Sequence, residues 1–126
     1  LENHLIIIGY GINGANLVRV ANHANIPHII IDSDVDIVRK EKEQGRNIIL
    51  GDATEEHTLY GTHLKQARVV VIAVSDSKIS KQIISSIRAI SQSVHIIVRT
   101  QYIEKIDEYI ELGADEVISE KFETSI

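Results

Sequence analysis

Six short runs rich in isoleucine and valine constrain this 126-residue chain more than any other feature. They are HLIII (4–8), HIIID (28–32), NIILG (47–51), RVVVIAV (68–74), VHIIVR (94–99) and EVIS (116–119). Apolar residues follow one another with little alternation of polar ones. A strand of that kind has both faces to cover. Between the runs lie stretches with helical spacing. Residues 12–23 place Leu17, Val18 and Ala21 on one face, and Asn25 to Pro27 punctuate their end. Residues 34–44 read as a second helix stopped by Gly45. GDATEEHTLYGTHL reads as a loop and a short helix opened by Thr54. Residues 76–91 carry Ile79, Ile83, Ile84, Ile87 and Ile90 on one face, and 103–112 end at Gly113. Strand and helix alternate throughout. The pattern predicts an α/β, Rossmann-like, doubly wound parallel sheet of six strands in the order 3-2-1-4-5-6.

The length suits one domain over 1–126. A formal charge of −5 without a lysine- or arginine-rich run argues against nucleic acid as a partner. The absence of cysteine excludes disulfides, thiolate metal sites and cysteine nucleophiles. No apolar run approaches the ~20 residues that cross a bilayer, and Glu2, Asn3 and His4 are no basic leader. Methionine is absent, so the chain reads as a domain excised from a longer protein.

The first run leads directly into GYGING, where Gly9, Gly11 and Gly14 fit G-x-G-x-x-G. The motif follows a strand, opens a helix and sits in a unit of about 30 residues ending in a second strand. Gly9 then permits the tight turn, Gly11 lets backbone approach a pyrophosphate, and Gly14 lets the helix pack against the sheet. Ile12 and Asn13 lie at the helix N-terminus, whose N–H groups and dipole favour phosphate. The alternative is a turn without a ligand. Asp32, followed by Ser33, ends the second run 18 residues after Gly14. A carboxylate there accepts from both ribose hydroxyls and repels a 2′-phosphate; otherwise it is a loop acid or a helix cap, a task open to Asp34 as well. Arg39 and Lys40 read as solvated surface.

Ligands of open parallel sheets bind at the carboxyl ends of the strands. Asp52, Ala53 and Thr54 follow the third run, Ser75 and Asp76 the fourth, and Arg99 ends the fifth. Asp52 can accept from an adenine amino group beside the backbone N–H near Ala53, or it starts the next helix. Arg99 can meet phosphate or the distal half of a dinucleotide, or pair with Glu120 or Glu123. His57 and His63 match no metal-ligand spacing and read as surface residues. Tyr102, Tyr109 and Phe122 read as packing residues.

GYGINGAN, IIIDSD, NIILGDAT, VVVIAV, IIVRT, GADEVI and FETSI, in that order, resemble the N-terminal RCK domain, also called KTN or Trk-N. The ending is most similar to Kef-type monovalent cation:proton antiporters. The resemblance implies a nucleotide-binding regulatory domain on the cytoplasmic face of the membrane, attached to a transmembrane antiporter or channel. It implies homodimers and ligands among NAD(H), AMP, ADP and ATP. A dehydrogenase needs a substrate domain and a proton-relay group, and this chain has neither the length nor an evident His/Asp pair at the strand ends, so it reads as a regulatory module and not an enzyme. On the matching positions, Gly9, Gly11 and Gly14 cradle phosphate, Asp32 holds the ribose, Asp52 and Ala53 meet adenine, and Arg99 reaches phosphate or the second nucleotide half. Many members carry a basic residue where this chain has Ile12, and Asn13 and Asn16 are only neutral donors. That departure favours AMP, ADP or NAD(H) over ATP, and Asp32 disfavours NADP. Two rival readings are an NAD-dependent oxidoreductase fragment without its catalytic domain, and a nucleotide-free assembly platform.

Overall fold

The computed structural model describes residues 1–119; Glu120, Phe122, Glu123 and the rest of the tail lie outside the described residues. Strand β1 (Leu5–Ile8) leads into α1 (Ile12–His23), β2 (His28–Asp32) into α2 (Val35–Glu43), and β3 (Ile48–Leu50) into α3 (Glu56–Tyr60). After a 3-10 turn come β4 (Val69–Ile72), α4 (Ser77–Ile90) and β5 (His95–Thr100). A second 3-10 turn, Ile103–Lys105, runs into α5 (Ile106–Leu112), followed by β6 (Glu116–Ser119). All six strands are parallel, in the order β3-β2-β1-β4-β5-β6. The expected topology is therefore the one observed.

The register explains the unbroken runs. Ile6 lies beside Ile29 and Val70, and Ile8 beside Ile31 and Ile72. These residues join Leu59, Ile83, Ile84, Ile87 and Tyr109 in the core under α3, α4 and α5. Ile7 points the other way and packs with Ile30, Ile48, Val18 of α1 and Val38 of α2. A strand between two cores must be apolar at every position, and each fully buried isoleucine contributes about 1.5–3 kcal/mol.

The rule weakens toward β5. Ile96, Val98 and Thr100 are buried, whereas His95, Ile97 and Arg99 are only half-buried. Helices α1 and α2 sit over the β1–β3 half of their face, leaving a groove of about 310 Å³ beside β5. Its lining includes Leu17, Val71, Ile97 and Ile118.

Helix α1 occupies the expected 12–23. Asp34 caps α2 by accepting from the N–H groups of Asp36 and Ile37. Asp76 caps α4 through the Ile79 N–H. The expectation that Thr54 opens α3 is wrong. The N-cap of α3 is Glu55, with no side-chain cap bond, and the Thr54 hydroxyl donates instead to Asp52 at 2.7 Å. The Asp52 carboxylate two residues back is a charged acceptor for that hydroxyl. His57 and His63 are exposed, but His4 is buried, with Nε2 2.7 Å from the Thr62 carbonyl oxygen. Tyr109 is core, and Tyr102 is exposed at the rim.

Candidate functional site

The sheet order reverses between β1 and β4, and the loops leaving β1 and β4 diverge there to opposite faces. A crevice of about 210 Å³ opens at the carboxyl ends of β1, β2 and β3. Gly9, Asp32, Ser33, Asp52 and Ala53 line it together with Val74, Ile79 and Ile83. A larger open groove of about 1110 Å³ runs between α4 and α5 over Lys81, Gln82, Ser85 and Glu108. The smaller crevice is the candidate site, because two carboxylates and Gly9 of the glycine turn meet there.

The three motif glycines are there for different reasons. Gly9 has φ +98°, a left-handed conformation that side chains resist. A Cβ on Gly14 would collide with the Gly9 carbonyl oxygen, so α1 packs against the turn only because Gly14 has none. Gly11 has φ −81°, and a Cβ on it would meet nothing within 4 Å. The fold therefore needs glycine at 9 and 14 and is indifferent to it at 11.

Gly11 is the N-cap of α1. No side chain caps this helix, and its first turn holds no acid. Helices α2 and α4, in contrast, have their N-termini closed by Asp34 and Asp76. The positive end of α1 is left to whatever comes from solvent, which suits an anion. Ile12 is 83% exposed there and brings no charge.

Asp32 is fixed on both sides. Oδ2 accepts from the Tyr10 N–H and Oδ1 from the Asp34 N–H, each at 2.8 Å. Each oxygen keeps a lone pair, so the carboxylate can still accept two hydroxyl hydrogens from the crevice. The Tyr10 bond also ties the glycine turn to the end of β2. Asp52 is held by Thr54, whose hydroxyl and N–H both donate to Oδ1. These bonds, the hydroxyl's first, lower the Asp52 pKa below the ordinary carboxylate value and keep it an acceptor. Asp52 starts no helix; it closes this turn.

The remaining predicted residues lie elsewhere. Asn13, Ser75 and Arg99 come together with Thr100 and Gln101 around a separate recess of about 30 Å³ beyond β4. Arg99 and Asn13 also line the groove beside β5. Thr54 faces the α4–α5 groove, and its carbonyl accepts from the Ser86 hydroxyl at 2.6 Å. Sequence reading missed Val74, Ile79 and Ile83 as walls of the crevice. Ile79 belongs to the apolar stripe of α4, yet it is 41% exposed because the stripe runs past the sheet edge. Spacing alone gives no sign of where a sheet ends. Among the described residues no group of three His, Asp or Glu could hold a metal ion, and no helix is long and apolar enough to cross a membrane.

The family model for the TrkA-N domain matches residues 5–120. Potassium channel protein 1 of Methanocaldococcus jannaschii is 30% identical over 94% of this chain. The putative cation/proton antiporter YbaL of Escherichia coli is 28% identical over 92% of it. The chain spans only 36% and 21% of those two proteins' lengths. The crystal structure of the YbaL TrkA-N domain superposes with a TM-score of 0.93 at 26% identity, covering 99% of this chain and 93% of that one. The Kef C-terminal domain of Shewanella denitrificans, in its AMP-bound form, shares the fold at TM-score 0.80 and 22% identity, over 98% of this chain and 74% of its own. With strand order, glycine turn and family match in agreement, this chain belongs to the TrkA-N domain family.

Proposed function

We propose that this chain is a regulatory domain, not an enzyme, that binds an adenine nucleotide in the crevice beside β1 and β2. The ligand is AMP, ADP or NAD(H). Its binding biases ion movement through an attached transmembrane antiporter or channel, most similar to Kef-type cation:proton antiporters. The domain works at the cytoplasmic face of the membrane and pairs as a homodimer. It is one domain, 1–126, of a longer transport protein.

The observation that carries this reading is Gly11. A turn that only joins a strand to a helix needs Gly9 and Gly14, and both are explained by the fold. Gly11 sits in open space at the uncapped end of α1, where a phosphate would lie against backbone. Asp32, already oriented by two backbone donors, takes the ribose. Asp52 and Ala53 take the adenine edge, and Val74, Ile79 and Ile83 wall the base. In the relatives the matching segment is a minor part of a potassium channel and of a putative cation/proton antiporter, which supports the attachment to a transport protein.

The test is calorimetry of the chain with AMP, ADP and NAD(H). Saturable binding to the unaltered chain and none to Gly11→Val supports the reading. A chain that binds none of them is an assembly platform instead.

A further inference from the structure

We infer that Ser86, on α4 and outside the crevice, is the residue that positions Asp52 and so sets the preference for adenine. The inference rests on the nucleotide reading above. The turn carrying Asp52 is closed by its own bonds: Thr54 N–H and hydroxyl to Asp52 Oδ1, and Glu55 N–H to the Asp52 carbonyl at 3.0 Å. Such bonds fix the shape of a turn but not its distance from a base held elsewhere. The Ser86 hydroxyl supplies that reference by donating to the Thr54 carbonyl across 32 residues of sequence.

Helix α4 is well suited to this task. Ile79 and Ile83, four residues apart, wall the crevice, and Ser86 lies one further turn along. The same rigid helix thus sets the wall against which a base would stack and the height of the acceptor at that base's edge. Asp52 itself is exposed, so its side chain is held by the two Thr54 bonds rather than by packing. Without the Ser86 hydroxyl the Thr54 carbonyl turns to water in the neighbouring groove, which both residues line. The carboxylate then loses its register with a 6-amino group, while contacts to ribose and phosphate stay.

The test measures two ligands on three chains. The ligands are AMP and purine riboside 5′-monophosphate, which is AMP without the 6-amino group. The unaltered chain prefers AMP. Ser86→Ala weakens AMP by about three- to tenfold, the range of one lost hydrogen bond, and leaves the deaminated ligand unchanged. Ser86→Thr, which keeps the hydroxyl, restores AMP. If the alanine chain does not fold, Ser86→Cys carries the same expectation with the volume kept. Equal losses for both ligands, or an unchanged preference in the Ser86 variants while Asp52→Ala abolishes it, overturns the role of Ser86 alone. No preference for AMP in the unaltered chain overturns the adenine role of Asp52 first, and that of Ser86 with it.

Discussion

Two separate recesses at the carboxyl edge of the sheet differ in size and in how they are built. On the β1–β2–β3 side, about 210 Å³ is bounded by two oriented carboxylates and an apolar wall. Beyond β4, the recess around Asn13, Ser75 and Arg99 measures about 30 Å³ and is lined mostly by polar groups. The first offers two carboxylate acceptors beside an apolar wall. The second is too small for a further nucleoside, though its cation can face a phosphate. Under the proposed function, recognition would concentrate on the larger recess, so that a dinucleotide would bind with its other half lying on the surface.

The most severe way to break that comparison is at the glycine turn that leads from β1 into α1. Gly11→Val is expected to abolish binding of AMP and NAD(H) alike while lowering stability by no more than about 1 kcal/mol, since the side chain enters open space. Gly14→Val, in contrast, is expected to unfold the domain, because its Cβ meets the Gly9 carbonyl. Thermal melts beside calorimetry separate the two. A Gly11→Val chain that binds normally would make the motif a turn only.

Asp32→Ala comes next. It removes the acceptor for two ribose hydroxyls and leaves the Tyr10 and Asp34 N–H groups without their partner. The affinity for AMP is expected to fall tenfold or more, at roughly 1.5–3 kcal/mol per charged hydrogen bond before re-solvation. An equal loss for NAD(H) would show that the adenosine half anchors both ligands. A smaller loss for NAD(H) would give the recess beyond β4 more weight than its size suggests.

The choice among phosphates sharpens the comparison from the other side. The uncapped α1 contributes about 0.3–1 kcal/mol to a phosphate at an exposed helix end, and the effect fades within one turn. With the neutral Ile12 exposed at that end, AMP and ADP are expected to bind better than ATP at matched ionic strength. NADP is expected to bind poorly because Asp32 repels the 2′-phosphate. A clear ATP preference would contradict this, and Arg99→Ala would show whether that side chain reaches the terminal phosphate.

The smallest expected effect is at Asp52. Thr54→Val removes the hydroxyl bond and should raise the Asp52 pKa back toward the ordinary carboxylate value, as read by NMR titration of its side chain. The folded pKa lies below the unfolded one, so the stabilisation is present at neutral pH and is lost as pH falls through the folded value. An unshifted titration in the variant would remove Thr54 as the cause.

The sequence determined the sheet on its own. Runs such as LIII and VVVI, apolar at every position, can be satisfied only between two cores, and their alternation with helices leaves little choice of topology. It also located Gly9, Gly14, Asp32, Asp52 and Ala53, because a turn, a close packing and the ends of strands are local matters of spacing. Whether the twelve candidate residues share one place was not local. Tertiary structure put Asp32, Ser33, Asp52 and Ala53 around one crevice and moved Asn13, Ser75 and Arg99 to another. It turned Ile79 from a core residue into a wall and left β5 half-covered. It brought Ser86 to the Thr54 carbonyl, a bond spanning 32 residues that no pattern in either segment foretells. The reason is the same in each case: periodicity records which face of an element is apolar, but the reach of each face across the sheet depends on how the helices pack.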